Sequence, residues 1–218
     1  MTVSIIIPYK NGWELTHQLL YDLYRTDRNN IDEVMLIDDA SDDGSISGAN
    51  WWKKLLPVRI HRFEENVGFL LAANKGLRKA KGDIKILISN DVGIKQPFIQ
   101  QVITLLEENP KRLIGNYFHA GDTGWNKFYN HIFPYLAGYL LGATADTWEH
   151  LEYFDERYAP CDYEDVDLST KALMGGVQVT SLSLTGIIHI GGQTIKYGVE
   201  REKQTKINQK KFEEKWIK

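Results

Sequence analysis

Glu33-Val34-Met35-Leu36-Ile37-Asp38-Asp39-Ala40-Ser41-Asp42-Asp43-Gly44 changes character halfway along. The first half is a short apolar run of the kind that forms a buried strand. The second half is turn chemistry, and Asp43 or Ser45 is placed to cap a helix running through Trp51 and Leu55. The same passage from strand to loop to helix repeats on both sides. Val3 to Ile7 is a continuous β-branched run ended by Pro8, and apolar residues from Trp13 to Tyr24 fall at helical spacing. Val58 to Phe63 reads as a third strand, Gly68 to Ala80 as a helix, and Ile84 to Ile88 as a fourth strand ending in Ser89-Asn90-Asp91. A further helix is expected from Pro97 to Glu108. Strands alternating with helices predict an α/β fold with a doubly wound, mostly parallel sheet, whose ligands gather beyond the carboxyl ends of the strands. Asp38-Asp39 and Asn90-Asp91 both fall at such ends.

Composition narrows the classes. The chain has 218 residues, 43% hydrophobic and 25% charged, within the range of one folded domain with a small appendage. A net charge of −3 gives no footprint for a nucleic-acid partner. The single cysteine, Cys161, excludes an internal disulfide and a Cys-based zinc site. The longest apolar tract, Ile132 to Ala145, contains Pro134 and two glycines and is short of the roughly 20 residues of a spanning helix. With no signal-peptide pattern at the start, the expectation is a cytoplasmic protein without a transmembrane segment.

The second half has another texture. Asp146 to Asp167 carries nine acidic residues against one basic residue, Arg157. Val166 to Leu173 reads as a helix, Gly175-Gly176 closes it, and short strands are expected near Val177 to Val179 and Gly186 to Ile190. The tail from Glu200 holds seven basic and four acidic residues and reads as a solvated helix, the one segment suited to an anionic membrane surface.

Several side chains have the chemistry of a site. Asp38 and Asp39 are adjacent on a strand, so they point to opposite faces, and one of them can accept from a ligand. An acid pair at a strand end also occurs in phosphorelay receivers, but there it follows the first strand, whereas here it follows the second. Asn90 and Asp91 suit an octahedral divalent cation that also holds a diphosphate, and a His such as His189, were it near Asp91, would favour Mn²⁺ over Mg²⁺. Glu164, Asp165 and Asp167 open a helix, which suits a charged helix start and equally an aimed general base.

Together these pieces resemble the inverting glycosyltransferases of family 2, which have the GT-A fold. SIIIPYKNG (4–12) is similar to that family's first strand and loop, and EVMLIDDASDDGS (33–45) to its second strand and turn. ENVGFLLAANKGLRKAKGDIKILISND (65–91) resembles the stretch leading to the metal motif. YLLGATADTWEHLEYFDERYAPCDYEDVDLSTKALMGG (139–176) is most similar to rhamnosyltransferase-like members.

The resemblance implies a Rossmann-like GT-A domain over 1–199, with a nucleotide-binding half (1–115) and an acceptor-binding and catalytic half (116–199), followed by the tail, 200–218. It implies that Pro8 and Tyr9 line the base, that Asp39 bonds a pyrimidine ring, and that Asn90 sits near the ribose. Asp91 would bind the metal, His189 would contact metal or diphosphate, Asp165 would be the general base and Glu164 would position the acceptor. Asp167 and Trp125 are further candidates for acceptor contact. Ala73 stands where many relatives have Arg, and Lys196 or Arg201 could supply that charge. The implied partners are a UDP-, dTDP- or GDP-linked sugar and a glycan or lipid-linked acceptor, met in the cytoplasm or at the inner face of a membrane. A member that binds nucleotide sugar without catalysis, as a sensor or scaffold, is the alternative.

Overall fold

A computed structural model of the chain describes residues 1–117, 135–182, 186–191 and 198–216. Strand β1 (Val3–Tyr9) is an interior strand of a seven-stranded sheet. The remaining strands of that sheet are β2 (Glu33–Asp38), β3 (Val58–Arg62), β4 (Ile84–Ile88), β6 (Arg112–Tyr117), β7 (Leu136–Thr144) and β8 (Gln178–Ser181), in the order β3-β2-β1-β4-β7-β6-β8. A separate two-stranded ribbon pairs β5 (Val92–Ile94) with β9 (Ile187–His189), antiparallel.

The isoleucine run of β1 is buried on both faces because helices cover both. Ile5 and Ile7 point into one core with Leu19, Leu20, Leu36 and Trp52, while Ile6 points into the other with Met35, Ile37, Leu77 and Leu87. The two-residue period of a strand forces that alternation. Each fully buried Ile adds up to about 2–3 kcal/mol.

Helices α1 (Trp13–Asp27), α2 (Ser45–Trp52) and α4 (Ile99–Glu108) cover the first face. Helices α3 (Phe69–Lys79), α5 (Ala145–His150) and α6 (Glu164–Met174) cover the second. Helix α3 sits tight on the sheet through Gly76, where a Cβ would fall 2.4 Å from Ile6 Cγ2.

The first four sheet strands are parallel, as the alternation predicts. The second half departs from it. Strand β7 runs antiparallel to both β4 and β6, and β6 and β8 are parallel neighbours. The strand order reverses between β2-β1 and β1-β4, which opens a crevice beyond the ends of β1 and β4.

The basic tail corrects its reading from composition. It forms α7 (Val199–Trp216), which is docked and not solvated all round: Asn208 and Phe212 are buried, and Phe212 meets the Tyr163 ring edge-on at 5.9 Å. Among the described residues no helix is long and apolar enough to cross a membrane.

Candidate functional site

A cleft of about 420 Å³ opens at the crevice, and residues from both halves of the chain line it. Pro8, Tyr9 and Lys10 come from the end of β1, Asp39 from the turn after β2, and Ser89, Asn90 and Asp91 from the end of β4. Tyr135, Gly138 and Tyr139 come from β7 and the residue before it, Asp162 to Val166 from the start of α6, and Arg201 and Thr205 from α7.

The acid pair after β2 divides its work. Asp38 is fully buried and accepts from the Ser41 amide (2.9 Å) and from Arg62 (3.0 Å), which locks the turn. Asp39 faces the cleft while accepting from the amides of Val67 (2.7 Å) and Gly68 (2.9 Å). An ionised carboxylate has about four acceptor positions, so Asp39 retains capacity for a ligand's N–H. The Tyr9 hydroxyl is buried without a hydrogen-bond partner among the described residues, and burial, then the charge of Asp38, push its pKa up. Lys10 is a cleft cation the sequence reading missed; its Nζ donates to the carbonyls of Asp39 (3.3 Å) and Ala40 (3.2 Å). Asn90 donates to Thr16 Oγ1 at 3.2 Å. Ala73 is buried on the core face of α3 and is not a cleft residue.

The ribbon of β5 and β9 brings Asp91 and His189 together across about a hundred residues of chain. Val92 is paired with His189, and the Ile190 amide donates to the Asp91 carbonyl at 3.1 Å. His189 Nε2 then lies 3.3 Å from Asp91 Oδ1, and its ring stacks on Tyr139 at 4.3 Å. Among the described residues no group of three or more His, Cys, Asp or Glu side chains converges. A cation here would therefore have two protein donors and open positions. That donor set fits a divalent ion completed by substrate phosphate and water, and does not fit a closed structural site. Two donors about 2.1 Å from one octahedral ion sit roughly 3.0 Å apart, close to the observed separation.

Across α6, Asp165 is half-buried and anchored. Oδ2 accepts from the Gly138 amide (3.0 Å) and Oδ1 from the Val166 amide (2.9 Å). Burial pushes its pKa up to about 6 against the pull of those two amides. Glu164 is buried with Oε2 unpartnered among the described residues, and burial, then the charge of Asp165, hold its pKa well above the usual carboxylate range. The arrangement pairs an anchored carboxylate, ionised at neutral pH, with a neighbour that holds its proton more tightly than an ordinary carboxyl.

Both carboxyls have folded pKa values above their unfolded ones, so stability is undiminished below the unfolded values and is lost as pH rises through the folded ones. Glu164→Gln is accordingly expected to raise the melting temperature by about 2–4 °C at pH 8 and to leave it unchanged at pH 4, as calorimetry at the two values would read.

Asp167 is placed away from the cleft. It is fully buried, does not line the cleft, and accepts from Lys215 (2.7 Å), Trp216 Nε1 (2.7 Å) and the Tyr158 hydroxyl (3.2 Å), so it anchors α7. Trp125 and Lys196 lie outside the described residues. Arg201 lines the cleft, with its guanidinium paired to Asp162 at 2.6 Å.

Solved structures share this architecture. The Staphylococcus aureus TarS 1–349 complex with UDP-GlcNAc matches with a TM-score of 0.71 at 16% identity, over 98% of this chain and 67% of that one. Mannosyltransferase PcManGT from Pyrobaculum calidifontis, solved with GDP-Man and Mn²⁺, matches with a TM-score of 0.65 at 23% identity, over 83% of this chain and 54% of that one. The fold is GT-A, a mostly parallel central sheet flanked by helices. Residues 4–174 match Glycosyl transferase family 2, and the chain belongs to that family. It is 26% identical over 133 residues to the glycosyltransferase YfnE of Bacillus subtilis (strain 168), covering 61% of this chain and 32% of that protein. It is likewise 26% identical over 133 residues to GlyG of Streptococcus pneumoniae serotype 4, covering 60% of this chain and 43% of that protein. The chain thus spans less than half the length of these two relatives. His189 and α7, which line the cleft, lie beyond the family match.

Proposed function

We propose that this chain is a metal-dependent inverting glycosyltransferase. It moves a sugar from a nucleotide-diphosphate donor to a hydroxyl of a glycan or lipid-linked acceptor, with Asp165 as general base. The observation that carries this reading is the convergence on one cleft of two unlike carboxylate sites, Asp91 beside His189 and the anchored Asp165. Solved neighbours holding GDP-Man with Mn²⁺ and UDP-GlcNAc support the donor class.

Asp39 and Asn90 bind the nucleoside, with Pro8 and Tyr9 forming the wall against its base. Asp91 and His189 hold the divalent ion, Mn²⁺ in preference to Mg²⁺ because one donor is imidazole. When bound, such an ion offsets the charge that builds on the departing diphosphate. Asp165, held by the amides of Gly138 and Val166, presents a lone pair to the acceptor hydroxyl and takes its proton as the new oxygen–carbon bond forms. The bond from the anomeric carbon to the diphosphate breaks with its electron pair leaving on the nucleotide, and attack from the opposite face inverts the centre. Glu164, whose burial favours the protonated carboxyl, donates to an acceptor oxygen and orients it.

The reading is tested by melting the protein with UDP-, dTDP- and GDP-sugars, each with and without Mn²⁺. A donor at 100 times its dissociation constant stabilises by about 2.7 kcal/mol, a rise of roughly 5–10 °C for a chain of this size. The Mn²⁺-dependent part of that rise is expected to vanish in Asp91→Asn. A flat response to every donor would overturn the assignment.

A further inference from the structure

We propose that Arg201, on the C-terminal helix, is a positioning residue for the acid pair: by binding and neutralising Asp162 it fixes the turn from which Glu164 and Asp165 enter α6. The inference rests on the reading of Asp165 as the base, and it assigns a role to a helix outside the family match.

The turn is unusual. Asp162 (φ 70°) and Tyr163 (φ 81°) are consecutive non-glycine residues in the left-handed region, which the surrounding structure must hold in place. Helix α7 holds it twice. Arg201 grips the Asp162 carboxylate through two nitrogens, Nη2 to Oδ1 at 2.6 Å and Nε to Oδ2 at 3.0 Å, and Thr205 donates to Oδ2 at 2.6 Å. Asn208 Nδ2 donates to the backbone carbonyls of Cys161 (2.8 Å) and Asp162 (2.9 Å). The next two residues of the chain are the proposed acid pair.

Charge points the same way. Asp162, Glu164 and Asp165 place three carboxyl groups within four residues, and Arg201 is a cation paired with the first of them. Cys161 and Tyr163 on the same turn, Glu202 on α7, Tyr135 just before β7, Tyr139 on it and, from the β5–β9 ribbon, Asp91 and His189 are the other ionisable residues lining this side of the cleft. The negative charge of Asp162 raises the pKa of both members of the pair, and Arg201 lowers that of Glu164. Removing Arg201 leaves Asp162 uncompensated and makes the pair hold its protons more tightly. A guanidinium gripping both oxygens of Asp162 is oriented by the turn, which argues for positioning over direct capture of the donor diphosphate.

Carboxyl ¹³C NMR titration of the substrate-free protein reads the effect without any turnover. Arg201→Gln is expected to move the Asp165 midpoint up by about one pH unit. The double variant Arg201→Gln/Asp162→Asn is expected to return it to near the wild-type value, since Asn tolerates the left-handed turn. In transfer assays Arg201→Gln should lower kcat on the order of tenfold at pH 7, with partial recovery at pH 8 and an unchanged donor KM. If Arg201→Gln does not fold, Arg201→Lys keeps the charge and loses the two-point grip, and it should keep the midpoint while lowering kcat. An unmoved midpoint in folded Arg201→Gln, or a raised donor KM with unchanged kcat, overturns the proposal. Absence of transfer by the wild-type protein with every donor would count against the glycosyltransferase reading instead, and the titration would still decide the role of Arg201.

Discussion

Asp165→Asn is expected to lower sugar transfer by roughly 10²–10⁴-fold while leaving the donor dissociation constant within about twofold. The substitution keeps the size of the side chain, and the Asn oxygen can still accept from the Gly138 amide, giving up only the local bond from the Val166 amide. What it removes is a proton acceptor. In the proposed reading donor affinity is carried by other residues, Asp39, Asn90, Asp91 and His189, while the Asp165 carboxylate is held by the amides of Gly138 and Val166. The wild-type pH profile gives a second, independent signature. The active form is the carboxylate, so the rate should rise with pH through about 6 and level off above it. That limb belongs to the Glu164–Asp165 pair as a unit, because each proton lost alters the other site. The limb should be absent from the residual activity of Asp165→Asn. Unchanged turnover in the variant would remove Asp165 from the chemistry. Donor binding without turnover in the wild-type protein would favour a binding module, the sensor or scaffold reading of the same fold.

The residues that sequence alone could place are those whose chemistry is local. Val3 to Ile7 is β-branched throughout because both of its faces are covered, and Asp38-Asp39 diverge because a strand alternates. Four strands of the first half and the helices between them were readable on those grounds. Strands β6 and β7 were not, because Gly138 and Gly142 interrupt the pattern of β7 and its antiparallel partner β4 lies some fifty residues earlier in the chain. The start of α4 shows the same limit. It falls at Ile99, two residues beyond Pro97, where Asp27 at the end of α1 accepts from the amides of Phe98 (3.2 Å) and Ile99 (3.1 Å).

Within the site, Asp165 and Asp167 are indistinguishable as letters. Two residues apart on a helix they point roughly 200° apart, and only the rotation of α6 decides which meets the cleft. Asp165 meets the Gly138 amide at the cleft, and Asp167 meets Lys215 and Trp216. The burial of α7 was masked by its charge. Its exposed face carries Lys203, Lys206 and Lys210, while its buried face turns on just Asn208 and Phe212.

That buried face supplies the largest expected effect on stability. Asn208→Ala should destabilise the protein by about 2–4 kcal/mol, a fall in melting temperature of roughly 5–12 °C. Asn208 Nδ2 donates to the carbonyls of Tyr158 (2.7 Å), Cys161 (2.8 Å) and Asp162 (2.9 Å), and Oδ1 accepts from Gln204 and Lys211, each at 3.0 Å. Alanine removes the donor shared by three carbonyls in a region closed to water, and an unmade buried hydrogen bond costs more than a made one contributes. Asn208→Asp should be worse, since a carboxylate would face the same three oxygens with no proton to offer. Lys206→Ala, on the exposed face of the same helix, should change stability by less than about 0.5 kcal/mol. A solvated tail would make the variants at 208 and 206 equally silent. A docked helix separates them, and because the carbonyls that Asn208 holds belong to the turn feeding Glu164 and Asp165, Asn208→Ala should also lower kcat in the fraction that remains folded.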